Sequence, residues 1–297
     1  MPRFTSLLLL LCATAAHAQT TIPEAAEPPP EPAPIRAPTD AAEKSREYGR
    51  LSFKVDPDVY SILSSVRGLS THKSSFFYPL SYSNDFQGEK TEMVFQLSGK
   101  WRVFGTDAYI AYSQKSFWQW LNGAESSPFR ETNYDPEVFY RWMPDRKAFN
   151  HWGADFGVEH ESNGRPFPQS RSWNRLYVAP FQAKGKHLAY FKFWYRLPEG
   201  EASTEGNQNG DDNPDLIDYM GYGELNFSRQ IGNAQLLSGM VRGNPATGHG
   251  AVSFTWSVPS EEGWVFWGLS VFHGYGESLI AFDEETTRVM GGILLAR

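Results

Sequence analysis

The chain has 297 residues, with 27 Lys and Arg against 34 Asp and Glu, 15% aromatics and one cysteine. A net charge of −7 with both signs interspersed excludes a dedicated nucleic-acid binder, which shows a basic stripe. No apolar run approaches the ~20 residues of a membrane helix, and a lone Cys12 excludes disulfide and cysteine–metal frameworks.

Residues 1–18 read as a secretory signal peptide, with Arg3 as the basic start, Leu7–Leu11 as the apolar core and Ala16-His17-Ala18 as the cleavage site. Leu11 is too large to precede a lipidated cysteine, so Cys12 reads as a spectator. Residues 19–50 are rich in proline (Pro28-Pro29-Pro30, Pro32, Pro34, Pro38) and too poor in apolar side chains to pack, which predicts a disordered tail. Residues 51–90 read as a Ser-, Tyr- and Asn-rich lead-in folding over one end of the domain. The folded domain is expected over 91–297.

From Glu92 the sequence alternates. Met93, Phe95, Leu97, Trp101 and Val103 share one parity, while Glu92, Gln96, Ser98, Lys100 and Arg102 share the other. Side chains on a strand alternate between faces, so this is a strand with one oily side. Its length, about 11 residues, suits a tilted bilayer crossing better than a sandwich. The pattern recurs at Ala108–Lys115, Val138–Trp142 and Ala189–Arg196, and more weakly at Tyr219–Phe227, Ala234–Val241, Val252–Val258, Val265–Phe272 and Val289–Leu295. Turn clusters such as Gly105-Thr106-Asp107 and Gly232-Asn233 separate these segments, and aromatics gather at strand ends. The expectation is an all-β, antiparallel transmembrane β-barrel of about 12 strands. A secreted β-sandwich is the alternative on these residues alone.

One segment breaks the pattern. Along His151–Gly164 the even positions are Trp152, Ala154, Phe156 and Val158, then His160 and Ser162. An imidazole and a hydroxyl two residues apart share the oily face, where a polar pair is costly and so implies a purpose. In the next segment Asn174, Leu176 and Val178 share a parity, and Asn174 pairs opposite His160 if the connection spans about Gly164–Arg171. A serine, an imidazole and an amide that orients the imidazole make a generalised triad. The neutral amide leaves the imidazolium without a counter-charge, so such a site leans on a strong oxyanion stabiliser. Glu159 and Glu161 fall on the opposite, lumenal face.

The blocks Ser126–Tyr134, His160-Glu161-Ser162-Asn163-Gly164-Arg165, Ser170–Tyr177, Asp211-Asp212-Asn213-Pro214-Asp215, Tyr219-Met220-Gly221-Tyr222 and Gly274–Ile280 resemble the outer membrane phospholipase A family, in the family's order from about Phe95 to Leu295. The resemblance implies a calcium-dependent hydrolase of phospholipid and lysophospholipid acyl esters (A1/A2 type) in the Gram-negative outer membrane. It also implies activation by homodimerisation. By motif, Ser162 is the nucleophile, His160 the base, Asn174 its orienting group and Gly164 an oxyanion donor. Calcium would be held by the Arg165 carbonyl, the Ser170 hydroxyl and, from a second copy, the Ser126 carbonyl. Asp212 matches one acidic ligand of the family's second calcium site, and Gln114 a glutamine of the dimer interface.

Two positions depart from the family. Phe167 stands where the second calcium site has an aspartate, and the chain ends Leu294-Leu295-Ala296-Arg297 without a terminal aromatic. Competing functions are a lipid A deacylase barrel with a similar His–Ser pair and a non-catalytic porin-like barrel.

Overall fold

The computed structural model describes residues 60–63, 69–144, 150–207, 210–232, 234–261 and 265–297. The expected leader and proline-rich tail lie outside the described residues. The strands are β1 (Leu69–Thr71), β2 (Ser75–Ser83), β3 (Met93–Arg102), β4 (Ala108–Trp118), β5 (Phe129–Trp142), β6 (Asn150–Ser162), β7 (Ser172–Lys184), β8 (His187–Leu197), β9 (Gly223–Ile231), β10 (Gln235–Gly243), β11 (Gly250–Pro259), β12 (Phe266–Gly274) and β13 (Thr286–Ala296). One short helix, α1 (Leu216–Met220), precedes β9. No helix among the described residues is long and apolar enough to cross a membrane.

Each strand from β2 to β13 pairs antiparallel with its sequence neighbours, and β13 returns to β2, so twelve strands close into a barrel. Closure leaves the wall without an open edge, so its backbone groups pair strand to strand, the condition for crossing hydrocarbon. The short β1 is the other half of the β2 position. It pairs with the lower part of β3 (Thr71 opposite Gly99), and β2 pairs with the upper part (Phe76 opposite Gln96). Between the two halves the chain bulges, and His72 and Lys73 reach acidic partners of the barrel interior.

The lead-in expected over 51–90 therefore contains the first barrel strand. Its sequence, Ser-Phe-Phe-Tyr-Pro-Leu-Ser-Tyr-Ser, hides the alternation behind three consecutive aromatics and a mid-strand proline. Pro79 has no N–H to give the ladder. The partner strand answers with a bulge between Gly291 and Ile293. A side chain at Gly292 would strike the Phe77 carbonyl, 2.2 Å from where its Cβ would lie. The expected Tyr219–Phe227 strand also differs: Leu216 and Met220 are buried one helical turn apart, and the strand begins at Gly223. Gly221, at φ 69°, ends the helix pressed against the Gly243 carbonyl, which only glycine permits.

Outside, an apolar belt including Ile110, Val138, Phe156, Val158, Leu176 and Leu269 is exposed. Inside sit buried charges. Arg141 and Asp155 pair at 2.7 Å, and Lys73, Lys192 and Arg175 surround Glu159 at 3.0, 2.7 and 2.9 Å. The carboxylates of Asp135, Glu137 and Glu159 come within 4.8 Å of one another, but lysine ammoniums sit between them, so the cluster is an ion-pair network. The interior is thus crossed by side chains, which opposes the porin-like reading.

The turns 103–107 and 185–186 are short and lie at the end where the Arg297 guanidinium caps the Ala234 carbonyl. The longer loops 84–92, 119–128, 163–171, 198–222 and 275–285 crowd the other end. In outer-membrane barrels the short turns are periplasmic and the long loops extracellular.

Candidate active site

The site stands near the long-loop end of the outer wall, where β6 runs out of apolar residues. Trp152, Phe156 and Val158 are exposed on the lipid face, and the odd-numbered Asp155 and Glu159 are buried in the lumen. Continuing that period, His160 and Ser162 stand on the outer wall and are half-buried. The register places Asn174 directly opposite His160, and Ser162 between Tyr134 of β5 and Ser172 of β7. The 163–171 connection closes the hairpin at the length the alternation required.

His160 Nδ1 lies 2.9 Å from Asn174 Oδ1. An amide oxygen can only accept, so Nδ1 carries the proton and Nε2 is left with a free lone pair. That is the tautomer a general base needs. On the other side the Asn174 amide nitrogen donates to Glu199 Oε1 at 2.5 Å.

The 163–171 loop is built around Asn163, which is buried. Its Oδ1 accepts the N–H groups of Arg165 and Arg171 at 3.2 and 3.0 Å, and its amide donates to the Gln169 carbonyl at 2.9 Å. This side chain holds the turn that carries Gly164, Arg165 and Ser170. Gly164 has φ 63°, a backbone conformation that favours glycine, and the Tyr134 ring lies 3.1 Å from where a Cβ would be, a tight approach. The Arg165 guanidinium donates to the carbonyls of Phe129 and Arg130, tying this loop to the start of β5.

Ser170 donates its hydroxyl proton to Asp212 Oδ2. The other oxygen, Asp212 Oδ1, is buried with no hydrogen-bond partner. A buried carboxylate oxygen aimed at nothing, next to a hydroxyl, is an all-oxygen donor set of the kind calcium takes. Phe167, on the same loop, adds no oxygen. Asn213 holds the acidic loop in place: its Oδ1 accepts the Ser172 N–H at 3.0 Å.

Ser126 stands on the 119–128 loop. It and Ser127 both adopt left-handed backbone, φ 61° and 50°, a conformation costing roughly 1–2 kcal/mol per residue. Hydrogen bonds from Ser126 N to the Gly123 carbonyl and from Ser127 N to the Asn122 carbonyl hold them there. Gln114 lies on the outer wall, in the row that runs through Tyr134 to Ser162. Its amide is satisfied within the chain: Oε1 accepts the Tyr112 hydroxyl at 3.1 Å and Nε2 donates to Ser116 Oγ at 3.3 Å.

A family model described as phospholipase A1 matches residues 41–295. The chain belongs to the phospholipase A1 family. It is 39% identical over 224 residues to phospholipase A1 of Escherichia coli strain K12, covering 72% of this chain and 73% of that one. To a putative phospholipase A1 of Neisseria meningitidis serogroup B it is 32% identical over 288 residues, covering 86% and 73%. Among solved structures, a calcium-bound dimer of the Salmonella typhi outer membrane phospholipase superposes with TM-score 0.65 at 35% identity, covering 76% of this chain and 92% of that one. An E. coli outer membrane phospholipase A active-site mutant, asparagine to alanine, superposes with TM-score 0.63 at 34% identity, covering 75% and 89%. Like its family, the chain is an outer-membrane barrel, and the phospholipase reading of the sequence stands.

Three side chains of this region escaped sequence reasoning. Asn163 and Asn213 lay inside quoted blocks, but their work is to accept backbone N–H groups across loops, which no periodicity announces. Glu199 follows the end of β8, and its only signal is register: Leu197 pairs with Asn174, so a residue two further on returns to the same face.

Proposed function

We propose that this chain hydrolyses phospholipid acyl esters through Ser162, His160 and Asn174 on the lipid-facing wall. The carrying observation is the His160–Asn174 contact on the oily face of β6 and β7, two residues from Ser162. An ester substrate arrives sideways from the bilayer and need not leave it. That the E. coli relative has an active-site asparagine supports the role of Asn174.

The Ser162 hydroxyl oxygen attacks the ester carbonyl carbon while His160 Nε2 takes the hydroxyl proton. The tetrahedral oxyanion sits against the Gly164 N–H. Collapse expels the glycerol oxygen, which receives the proton from His160 and leaves as the lysolipid, with the acyl group on Ser162. Water then gives its proton to His160 and attacks the acyl carbon, releasing the fatty acid and restoring the serine. Asn174 holds the imidazole in the required tautomer throughout.

The Arg165 carbonyl and the Ser170 hydroxyl, with Asp212 beside them, would hold a calcium ion; the Ser126 carbonyl of a second copy would complete the set. When bound, the cation supplies positive charge at the developing oxyanion, compensating for the neutral amide of the triad. The calcium-bound dimer of the S. typhi relative supports both the ion and the homodimer. With Phe167 on the loop, the catalytic set is the one retained, and Asp212 serves it. Gln114, already satisfied in its own chain, can exchange its Tyr112 and Ser116 partners for a facing copy.

The test is acyl release from mixed phospholipid–detergent micelles by the purified barrel, with calcium and with chelator. Chelation is expected to lower the rate by at least about 100-fold, the scale of losing one oxyanion stabiliser. A chelator-insensitive rate would remove calcium from the account. Absence of release under both conditions would remove the phospholipase reading.

A further inference from the structure

Asn174 has two polar neighbours, and only one is in the proposed triad. Its oxygen faces His160 Nδ1 at 2.9 Å, and its nitrogen donates to Glu199 Oε1 at 2.5 Å. The Glu199 side chain is only 14% exposed. We propose that Glu199 is a positioning residue for the hydrolytic site, acting on His160 through Asn174; the inference rests on the phospholipase reading above.

Donors and acceptors decide which way Asn174 faces. An amide can be turned about its last bond to exchange oxygen and nitrogen at little intrinsic cost, and if Asn174 turned, its N–H would face His160 Nδ1. The imidazole would then carry its proton on Nε2 and could not act as base toward Ser162. An ionised carboxylate has no proton to donate. Glu199 therefore admits only the nitrogen of Asn174, which fixes the oxygen toward His160 and the imidazole in the working tautomer.

The carboxylate also supplies what the triad lacks. When His160 takes the serine proton, a negative charge stands behind the amide and is relayed through a polarised hydrogen bond. The charged groups facing Glu199 are Arg196, whose guanidinium is 4.0 Å from Oε2, Asp211, which that guanidinium holds at 2.6 Å, and His160. Burial, the largest influence, lifts the Glu199 carboxyl above the usual range; the Asn174 hydrogen bond and Arg196 pull against it, and Asp211 adds to it. Protonation at low pH would give Glu199 a hydrogen to donate and free Asn174 to turn.

The experiment is a pH–rate profile of calcium-loaded wild type, Glu199→Gln, Asn174→Ala and the double variant, with Ser162→Ala as the reference for the parent reading. Glu199→Gln keeps size and hydrogen-bonding capacity but loses the charge and the amide discrimination. Its kcat is expected to fall about tenfold with KM unchanged. Its acidic limb should move down by about one pH unit, the Coulomb effect of removing one charge a few ångström behind the ring. In the Asn174→Ala background the same substitution should bring no further fall in kcat. Heat-modifiable gel mobility reports folding, and Glu199→Asp, which keeps the charge, should recover the acidic limb. A Glu199→Gln profile superposing on wild type, or losses that multiply in the double variant, would overturn the proposal. If Ser162→Ala is dead in that case, the phospholipase reading survives it; a fully active Ser162→Ala would sink the parent reading instead.

Discussion

Replacing Ser162 with alanine is expected to lower acyl release by about 10⁴- to 10⁶-fold, the loss seen when a triad nucleophile is removed from hydrolases that work through one. The barrel itself should be untouched. Ser162 is half-buried on the outer wall and opposite Tyr134 and Ser172, and its backbone, not its side chain, makes the strand pairing. Heat-modifiable mobility and calcium-induced cross-linking should match wild type, which separates lost chemistry from lost folding. Residual activity above a thousandth of wild type, in a folded variant, would mean that another group attacks the ester.

The second large effect concerns stability. Arg288 lies fully buried where β13 closes on β2. Its guanidinium donates to Glu277 at 2.7 Å, to Glu92 at 2.8 Å and to Ser81 at 2.9 Å. Arg288→Ala leaves two interior carboxylates facing each other, with only Arg130 still reaching Glu92. Breaking a buried pair by removing one partner costs about 3–5 kcal/mol, mostly the cost of the charge left behind. Urea unfolding of the refolded barrel in phospholipid vesicles should show a loss of that size. Adding Glu277→Gln should recover part of it, since the stranded charge causes the damage. A variant as stable as wild type would mean that water reaches this part of the lumen freely.

The barrel was legible because one rule repeats along the wall: lipid outside and charge inside force period two. Legibility failed where another constraint overrode that rule. At Pro79 a missing N–H and a glycine bulge in the partner strand conceal a strand. At Leu216–Met220 a helical turn buries two residues four apart, a spacing that a strand would also place on one face, so parity does not tell the two apart. In the candidate site His160, Ser162 and Asn174 were legible because they carry polarity onto an oily parity. Asn163 and Glu199 were not, because their contacts are set by three-dimensional closure.

In the proposed reaction the hydroxyl of Ser162, activated by His160, attacks esters from the hydrocarbon side of the wall. A long-chain alkyl sulfonyl fluoride, which partitions into the same micelles as substrate, captures such a nucleophile as a covalent sulfonate. Mass spectrometry of the digested protein should find one modification, on the peptide carrying Ser162, formed rapidly in wild type and abolished in His160→Ala. Labelling at another residue with parallel loss of activity, or full activity in a protein whose Ser162 is quantitatively modified, would contradict it.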